Sequence, residues 1–490
     1  MVQVAVLRCA FFDELEKIGA VATTLLPHQQ RVVDRIQQPN QPGLVVAHGL
    51  GSGKTLASIA AQEALHMPSS VVVPAALRAN YAKERAKHLT GPHQHANIES
   101  LTSVATHGQP KAAPLMIVDE AHRARDPASK TFQGLSENDA EKRLLLTGSP
   151  FYNHPSDIAP LVNLAAGSSV MPNTREGFNQ RYISQRRVSP GLWNRLRGVQ
   201  PGTVSELNQR RSRELQSTLK KWVDYHPGTT EGFPTVERQD IQVPMARGQL
   251  QLYDAMMAKA PRGVAAKVRA GLPPSKREAQ QLNAFLTAVR QIANTTTAFH
   301  EEGGAHDPKL EMAFGNLQKT LDADPAAKAV VYSNFLESGI NPYKARLDKA
   351  KIPYGEFTGQ MPHRERDAMV RDYNAGKLRT LLLSSAGGEG LDLKGTRLLQ
   401  QLEPHWNDEK LRQVEGRGAR FGSHAHLPEA QRNLRIERYL STRPKSGLLE
   451  RIGWKKPGKG VDEYLAQLSA DKEKLIGQFR GLLPQEAPSG

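Results

Sequence analysis

The chain of 490 residues has a single cysteine, Cys9. That excludes an internal disulfide and any zinc site built on thiolates. It also points to a reducing, intracellular setting. No apolar run approaches the ~18 residues that a membrane-crossing helix needs, so no membrane span is expected. The start, "MVQVAVLRCAFFDELEKIGA", has a short apolar run, then acids, and no small-residue cleavage site. It reads as an N-terminal strand or helix rather than a signal peptide. Histidine pairs in "GPHQHAN" and "GSHAHLP" lack carboxylate or cysteine partners at ligand spacing, so no structural metal is expected. Aromatic residues make up only 6% of the chain and are not interleaved as a base-stacking platform would require.

What the chain has is positive charge. The formal net charge is +16, which favours a polyanionic partner, most simply nucleic acid, with an acidic membrane surface as the competing reading. The length suggests two to four domains. In the first third, "GLVVAH", "SVVVPA", "LMIVDE" and "RLLLTG" are strand-length apolar runs separated by longer mixed segments. That alternation predicts a parallel sheet buried on both faces. The pattern returns in "KAVVYSN", "RTLLLSS" and "TRLLQQLE", so the expected fold is α/β with two lobes. Between them the text is helical in texture and dense in Arg and Lys, followed by the Pro/Gly-rich "HPGTTEGFPTVE". The expected boundaries are 1–165 for the first lobe, 166–305 for a basic helical insert and linker, 306–450 for the second lobe, and 451–490 for a C-terminal bracing helix and tail. In that helix Val461, Leu465, Leu468, Leu475, Phe479 and Leu482 recur at helical spacing, which predicts a docked face. The last residues, "PQEAPSG", read as disordered.

Two stretches carry chemistry. "VVAHGLGSGKT" is close to the phosphate-binding loop, Gly, four residues, then Gly-Lys-Ser/Thr, but His48 stands at the first glycine. The glycines fall at Gly49, Gly51 and Gly53, around Ser52. Backbone N–H groups of such a turn face phosphate oxygens, and the following helix adds its positive end. Lys54 is placed to reach the β- and γ-phosphates of ATP, and Thr55 to ligate Mg²⁺. The second stretch, "LMIVDEAHRARD", ends a strand in Asp119 and Glu120. An acid in the place of Asp119 holds Mg²⁺, and one in the place of Glu120 orients and deprotonates the attacking water.

"VDEAHRARDPASKTF" followed by "LLLTGSPFYNHPSDIAPLVNL" resembles motifs II and III of superfamily-two helicases, and more narrowly those of the Swi/Snf-type ATPases. "LLPHQQRVVDRI" resembles the Q motif, "VVVPAALRANYAKE" motif Ia, "AVVYSNF" motif IV, "LLLSSAGGEGLDL" motif V and "HWNDEKLRQVEGRGARFGS" motif VI. The match covers most of residues 25–480. It implies two RecA-like lobes. It implies that Gln29 reads adenine, that Gly390 and Asp392 reach the nucleotide, and that Arg417 and Arg420 are arginine fingers. It makes Thr147, Gly148, Ser149 and Gln413 coupling residues, and sets Pro74, Ser333, Asn334 and Ser385 along the nucleic acid. Ala419 and Ser423 depart from the family's His and Gln. Motif V is one residue shorter than in chromatin remodellers, as is frequent in the family's viral and phage branch; the resemblance implies a compact phage, viral or bacterial member, in cytoplasm or nucleoid, or in host cytoplasm if phage-encoded. The basic insert, with Arg186, Arg187, Arg210 and Arg211, is the candidate for extra DNA contact, though a solvated helical face explains it as well.

The resemblance implies a nucleic-acid-dependent ATPase that translocates on duplex DNA, in remodelling, recombination or branch migration. An ATPase acting on transcription complexes or RNA is the alternative. The intact Lys54, Thr55, Asp119, Glu120 and Arg420 argue against a basic binding protein with a dead site.

Overall fold

The apolar runs become strands because each carries Val, Ile or Leu at nearly every position, so both faces can be buried. The structure is a computed structural model. It describes residues 24–49, 51–88, 95–190, 201–228, 231–274, 276–297, 307–357, 362–384, 393–404, 422–445 and 458–484, with positions 195, 196, 199, 391, 415, 416, 418, 419 and 450. The expected N-terminal element and the tail 485–490 lie outside the described residues. Contacts divide the chain into two units, residues 1–184, 206–229 and 475–490 in one, residues 185–205 and 230–474 in the other.

In chain order the first strands are β1 (Gly43–His48), β2 (Ser69–Val73), β3 (Ala96–Ser100), β4 (Leu115–Val118), β5 (Lys142–Thr147), β6 (Ile183–Val188), β7 (Gly202–Leu207) and β8 (Val223–His226). The first unit holds a six-stranded sheet in the order β3-β2-β4-β5-β1-β8, with every pairing parallel. Alternate residues feed two cores. Val45, Ala47, Val72, Met116, Val118 and Leu145 face one side, with Leu161 and Leu219 from flanking helices. Leu44, Val46, Val71, Ile117, Leu144 and Leu146 face the other, with Val32 and Ile59. Such two-sided burial is what a parallel sheet under helical layers requires. Strand order reverses around β1, so the carboxyl ends of β1, β4 and β5 lie at the crevice where ligands of open α/β sheets bind.

The remaining strands are β9 (Thr235–Pro244), β10 (Lys328–Ser333), β11 (Tyr354–Phe357), β12 (Thr380–Ser384), β13 (Thr396–Gln401) and β14 (Asn433–Thr442). The second unit's sheet runs β11-β12-β10-β13-β14-β9, again all parallel. The two-lobe α/β expectation is therefore met. The boundaries are not those expected: the interval 166–305 is shared between the units. β8 pairs with β1 and belongs to the first sheet. The helices Arg247–Ala258, Arg262–Ala270 and Lys276–Asn294 contribute Tyr253, Val268 and Val289 to a core of the second unit, with Val461 and Leu465. The C-terminal helix, Val461–Arg480, forms with the spacing read from its sequence. Its later residues Leu475 and Phe479 join the first unit's core. Arg186 and Arg187 lie on β6, paired with β7, rather than on a helix, because Ile183 and Val188 bound a run in extended backbone. Among the described residues no helix is long and apolar enough to cross a membrane.

Candidate nucleotide site

The phosphate loop leaves β1 and enters the helix Lys54–Leu65. Gly51 and Gly53 have φ of 74° and 71°, the left-handed region that turns successive N–H groups toward one concavity. At Gly49 an added Cβ would collide with the Pro227 carbonyl. His48 proves to be the last residue of β1 and fully buried, so no glycine is needed there. The Lys54 ammonium rests on the carbonyls of His48 (2.9 Å) and Gly49 (3.2 Å). Burial lowers its pKa below the ordinary value, against the pull of Glu120 and Asp119. The Ser52 hydroxyl donates to Gly49 O at 2.8 Å. The Gln29 amide is spent on protein: Nε2 donates to Ser52 O at 2.9 Å and Oε1 accepts from Leu26 N at 2.9 Å. In this state Gln29 braces the loop.

β4 delivers Asp119 and Glu120 to the same crevice. Burial, then the neighbouring Glu120 charge, raise the Asp119 carboxyl to about 6. Glu120 has φ of 51°, a left-handed conformation costly for a residue with a Cβ. Burial would raise its pKa, but the His122 ring, Lys54 and Arg123 outweigh this and hold it low. It is thus an anion at neutral pH. His122 Nδ1 lies 3.3 Å from Glu120 Oε2 and 3.4 Å from the Thr147 hydroxyl at the end of β5. Thr147 Oγ1 in turn accepts from Ser149 N at 3.1 Å. The His122 ring stacks on Tyr152, centroids 4.8 Å apart, and the Arg125 guanidinium sits 4.4 Å from the centroid of Tyr152. Gly148 lies open toward the loop, its ideal Cβ position 3.8 Å from both His48 O and Lys54 Nζ. Motifs I, II and III are therefore brought together within one unit. His122 stands in the quoted "DEAH" text and carries the link; its role was not read from the sequence.

The residues fit a nucleoside triphosphate and a hard cation: a left-handed glycine nest, a buried ammonium, and crowded carboxylates that a divalent ion would relieve.

Other expected contacts stand differently. Pro74 is buried at the end of β2, capping the 3-10 turn Ala75–Leu77; the exposed positions are 75–80. Ser333 is fully buried and its hydroxyl donates to Glu403 at 3.0 and 3.1 Å. The Asn334 amide is also occupied: Nδ2 donates to Glu403 Oε1 at 3.1 Å and Oδ1 accepts from Tyr332 OH at 3.1 Å. Asn294 Nδ2 completes the carboxylate's shell at 2.9 Å. The structure thus places Pro74 and Ser333 in the interior and Asn334 half-buried, with the two polar side chains engaged by Glu403. Arg186, Arg187, Arg210 and Arg211 are exposed, and Arg211 NH1 pairs with Glu214 at 2.9 Å. Ser385, Gly390, Asp392, Gln413, Arg417 and Arg420 lie outside the described residues.

Comparison with known families matches residues 96–298 to the SNF2-related domain and residues 312–422 to the helicase conserved C-terminal domain. The chain belongs to the Snf2-like helicase family of superfamily two. As a member it is an ATP hydrolase. A mimivirus protein whose name proposes an ATP-dependent RNA helicase, L538 of Acanthamoeba polyphaga mimivirus, is 29% identical over 93% of this chain and 96% of its own. A termination factor NPH-I homolog of African swine fever virus is 23% identical over 92% of this chain and 76% of its own. Among solved structures, the SWI2/SNF2 ATPase core of Sulfolobus solfataricus in complex with dsDNA covers 95% of this chain and 98% of its own at 16% identity. Its TM-score is 0.36, a superposition too loose to bear on function.

Proposed function

We propose that this Snf2-like ATPase is stimulated by double-stranded DNA and moves along it. The observation that carries the duplex reading is charge without stacking. β6 presents Arg186 and Arg187 to solvent, and the Gln209–Arg211 turn presents Arg210 and Arg211. The exposed large hydrophobic side chains among the described residues are Leu26, Leu77, Val170, Leu196, Met312 and Leu336, none of them aromatic. Backbone phosphates are gripped by such a surface, whereas sequence-tolerant binding of single strands uses stacked aromatics. ATP turnover measured with duplex, single-stranded, branched and RNA ligands tests this. Duplex is expected to stimulate at least ~10-fold more than RNA, and Arg186→Glu with Arg187→Glu to reduce the salt slope of duplex binding by about two. Equal stimulation by RNA would sink it. The names borne by the viral relatives favour a second reading, action on transcription complexes or RNA, and RNA-preferring turnover is the result that selects it.

On this reading Thr55 and Asp119 would hold Mg²⁺, which would supply charge neutralisation at the phosphates. Lys54 binds the β- and γ-phosphates, Glu120 orients the attacking water and takes its proton, and His122 ties that carboxylate to Thr147. A pH signature follows from Asp119. Its folded pKa, about 6, lies above the ordinary 3.8. Ionising it therefore costs the apo fold stability, a cost absent below the ordinary value and growing until pH passes the folded one. A cation must displace that proton below the folded pKa. Mg²⁺-dependent nucleotide binding is expected to weaken about tenfold from pH 7 to pH 5, and Asp119→Asn to flatten the profile. Titration of a fluorescent ADP analogue across that range measures both.

A further inference from the structure

The phosphate loop is fastened from behind by a cluster that the nucleotide chemistry does not require. His48 Nε2 lies 2.7 Å from Asp224 Oδ1, both side chains essentially buried. Asp224 stands on β8, where it also accepts from Arg31 Nε at 2.8 Å, Arg31 NH2 at 2.9 Å and Arg35 NH1 at 3.1 Å. The same arginines bond the strand's backbone, at Tyr225 O (3.0 Å) and Val223 O (2.9 Å). Those bonds and the pairing with β1 hold a strand of only four residues at the sheet's edge.

β8 in turn holds the loop. Gly49 N donates to His226 O at 2.8 Å, and Gly49 packs under the Pro227 carbonyl. The His28 ring stacks on His226, centroids 3.9 Å apart, and His28 Nε2 lies 2.8 Å from Ser52 O. His48 O and Gly49 O are the two carbonyls on which the Lys54 ammonium rests. Four neighbours of the phosphate site (Lys54, Gly49, Ser52 and the end of β1) thus depend on the placement of one carboxylate and one ring. Among the described residues His48 Nδ1 has no hydrogen-bond partner, so there the ring's one side-chain hydrogen bond is to Asp224.

We propose that His48 and Asp224 are positioning residues for nucleotide binding. Asp224 clamps β8 to the helix Pro27–Ile36 and to β1. His48 locks the strand end whose carbonyl sets the height of Lys54. Neither touches a phosphate. The inference rests on the reading of this loop as the nucleotide site, and goes beyond it in assigning the loop's shape to a histidine where the motif has glycine, and to an acid 176 residues away.

The test uses the full chain. A fluorescent ADP analogue with Mg²⁺ is titrated into the wild type, His48→Leu, His48→Gln, Asp224→Asn and Lys54→Ala, beside steady-state ATP turnover and thermal unfolding. His48→Leu and Asp224→Asn are expected to weaken ADP binding and raise KM at least ~10-fold, with kcat at saturating ATP reduced far less than in Lys54→Ala, because the ammonium is shifted rather than removed and Glu120 and Asp119 are untouched. His48→Gln, which returns a donor at similar reach, is expected to recover binding to within about threefold of wild type. A merely structural role would lower stability and kcat together and would not be rescued in KM. The proposal is overturned if His48→Leu binds within about twofold of wild type, or if His48→Gln binds no better than His48→Leu. His48→Leu leaves the Arg31–Asp224 pair in place, so it decides the matter even where Asp224→Asn does not fold. Lys54→Ala separates the two levels: wild-type binding in that variant removes the nucleotide-site reading itself, whereas lost binding there with normal binding in the others removes only the positioning role.

Discussion

Replacing Glu120 by glutamine is expected to lower ATP turnover roughly 10³-fold while nucleotide stays bound. The carboxylate is placed for a base. It follows β4 at the carboxyl edge of the sheet, is held in a left-handed conformation, and remains ionised because His122, Lys54 and Arg123 outweigh its burial. Glutamine keeps the size and one hydrogen-bond acceptor, but removes both the charge that attracts a proton and the carboxylate's contact with the His122 ring. Loss of negative charge beside the phosphates does not weaken an anion's binding, so the deficit falls on kcat. Lys54→Ala should fail differently. It removes the ammonium that offsets phosphate charge, so binding and turnover fall together. The double variant should be little worse than the poorer single one, since both serve the same chemical step. Phosphate release at saturating ATP and saturating nucleic acid checks all three. Glu120→Gln turning over within about tenfold of wild type would remove Glu120 from the chemistry, since general bases contribute more than that.

The parts of this site that were legible in the sequence are those encoded locally. Gly49, Gly51, Gly53, Lys54 and Thr55 sit in one turn, and Asp119 with Glu120 in another. Each lies at the end of an apolar run that burial on both faces makes unmistakable. Most of the strands that escaped reading are short or polar edges; β14 lies inside its sheet, but Arg435, Glu437 and Arg438 interrupt its apolar run. β8 is "VDYH", β3 is "ANIES" and β11 is "YGEF". β9 and β14 pair over ten residues, yet β9, on the sheet's edge, exposes most of its side chains, so its text alternates too weakly to stand out from a loop. Edge position removes the two-sided hydrophobic signal on which the reading depends. The Asp224–His48 bond joins residues 176 apart, and the Glu403–Ser333 bond residues 70 apart. No spacing rule reaches such partners. Motif resemblance set Pro74, Ser333 and Asn334 at strand ends, but it could not say that Pro74 and Ser333 are buried there or that Ser333 and Asn334 bond Glu403.

Lys309→Met is expected to destabilise the second unit by about 3–5 kcal/mol, and Lys309→Met with Asp462→Leu to recover most of that loss. The pair joins the helix Pro308–Ala323 to the first turn of the C-terminal helix, Nζ to Oδ2 at 2.7 Å, with both side chains at 0% exposure. Asp462 Oδ2 also accepts from Ser441 N on β14 at 2.9 Å, while among the described residues its Oδ1 has no hydrogen-bond partner. With methionine at 309 the carboxylate keeps one backbone donor and no cation, in a site water does not reach. An uncompensated buried charge costs far more than the pair itself contributes. Removing both charges removes the penalty, because Tyr253, Val461, Tyr464 and Leu465 already make the surroundings apolar. The neighbouring bonds, Val461 N to Tyr253 OH at 2.8 Å and Tyr464 OH to Leu272 O at 3.0 Å, survive both changes. They therefore keep the helix in register in the double variant. In a chain of two compact units a single melting temperature is a poor measure of one contact. Hydrogen exchange over residues 308–323 and 461–474 reads the contact directly. Protection there should fall by roughly two to three and a half orders of magnitude in Lys309→Met and return in the double variant. Equal loss in both would mean that the lysine acts through packing of its stem and not through its charge.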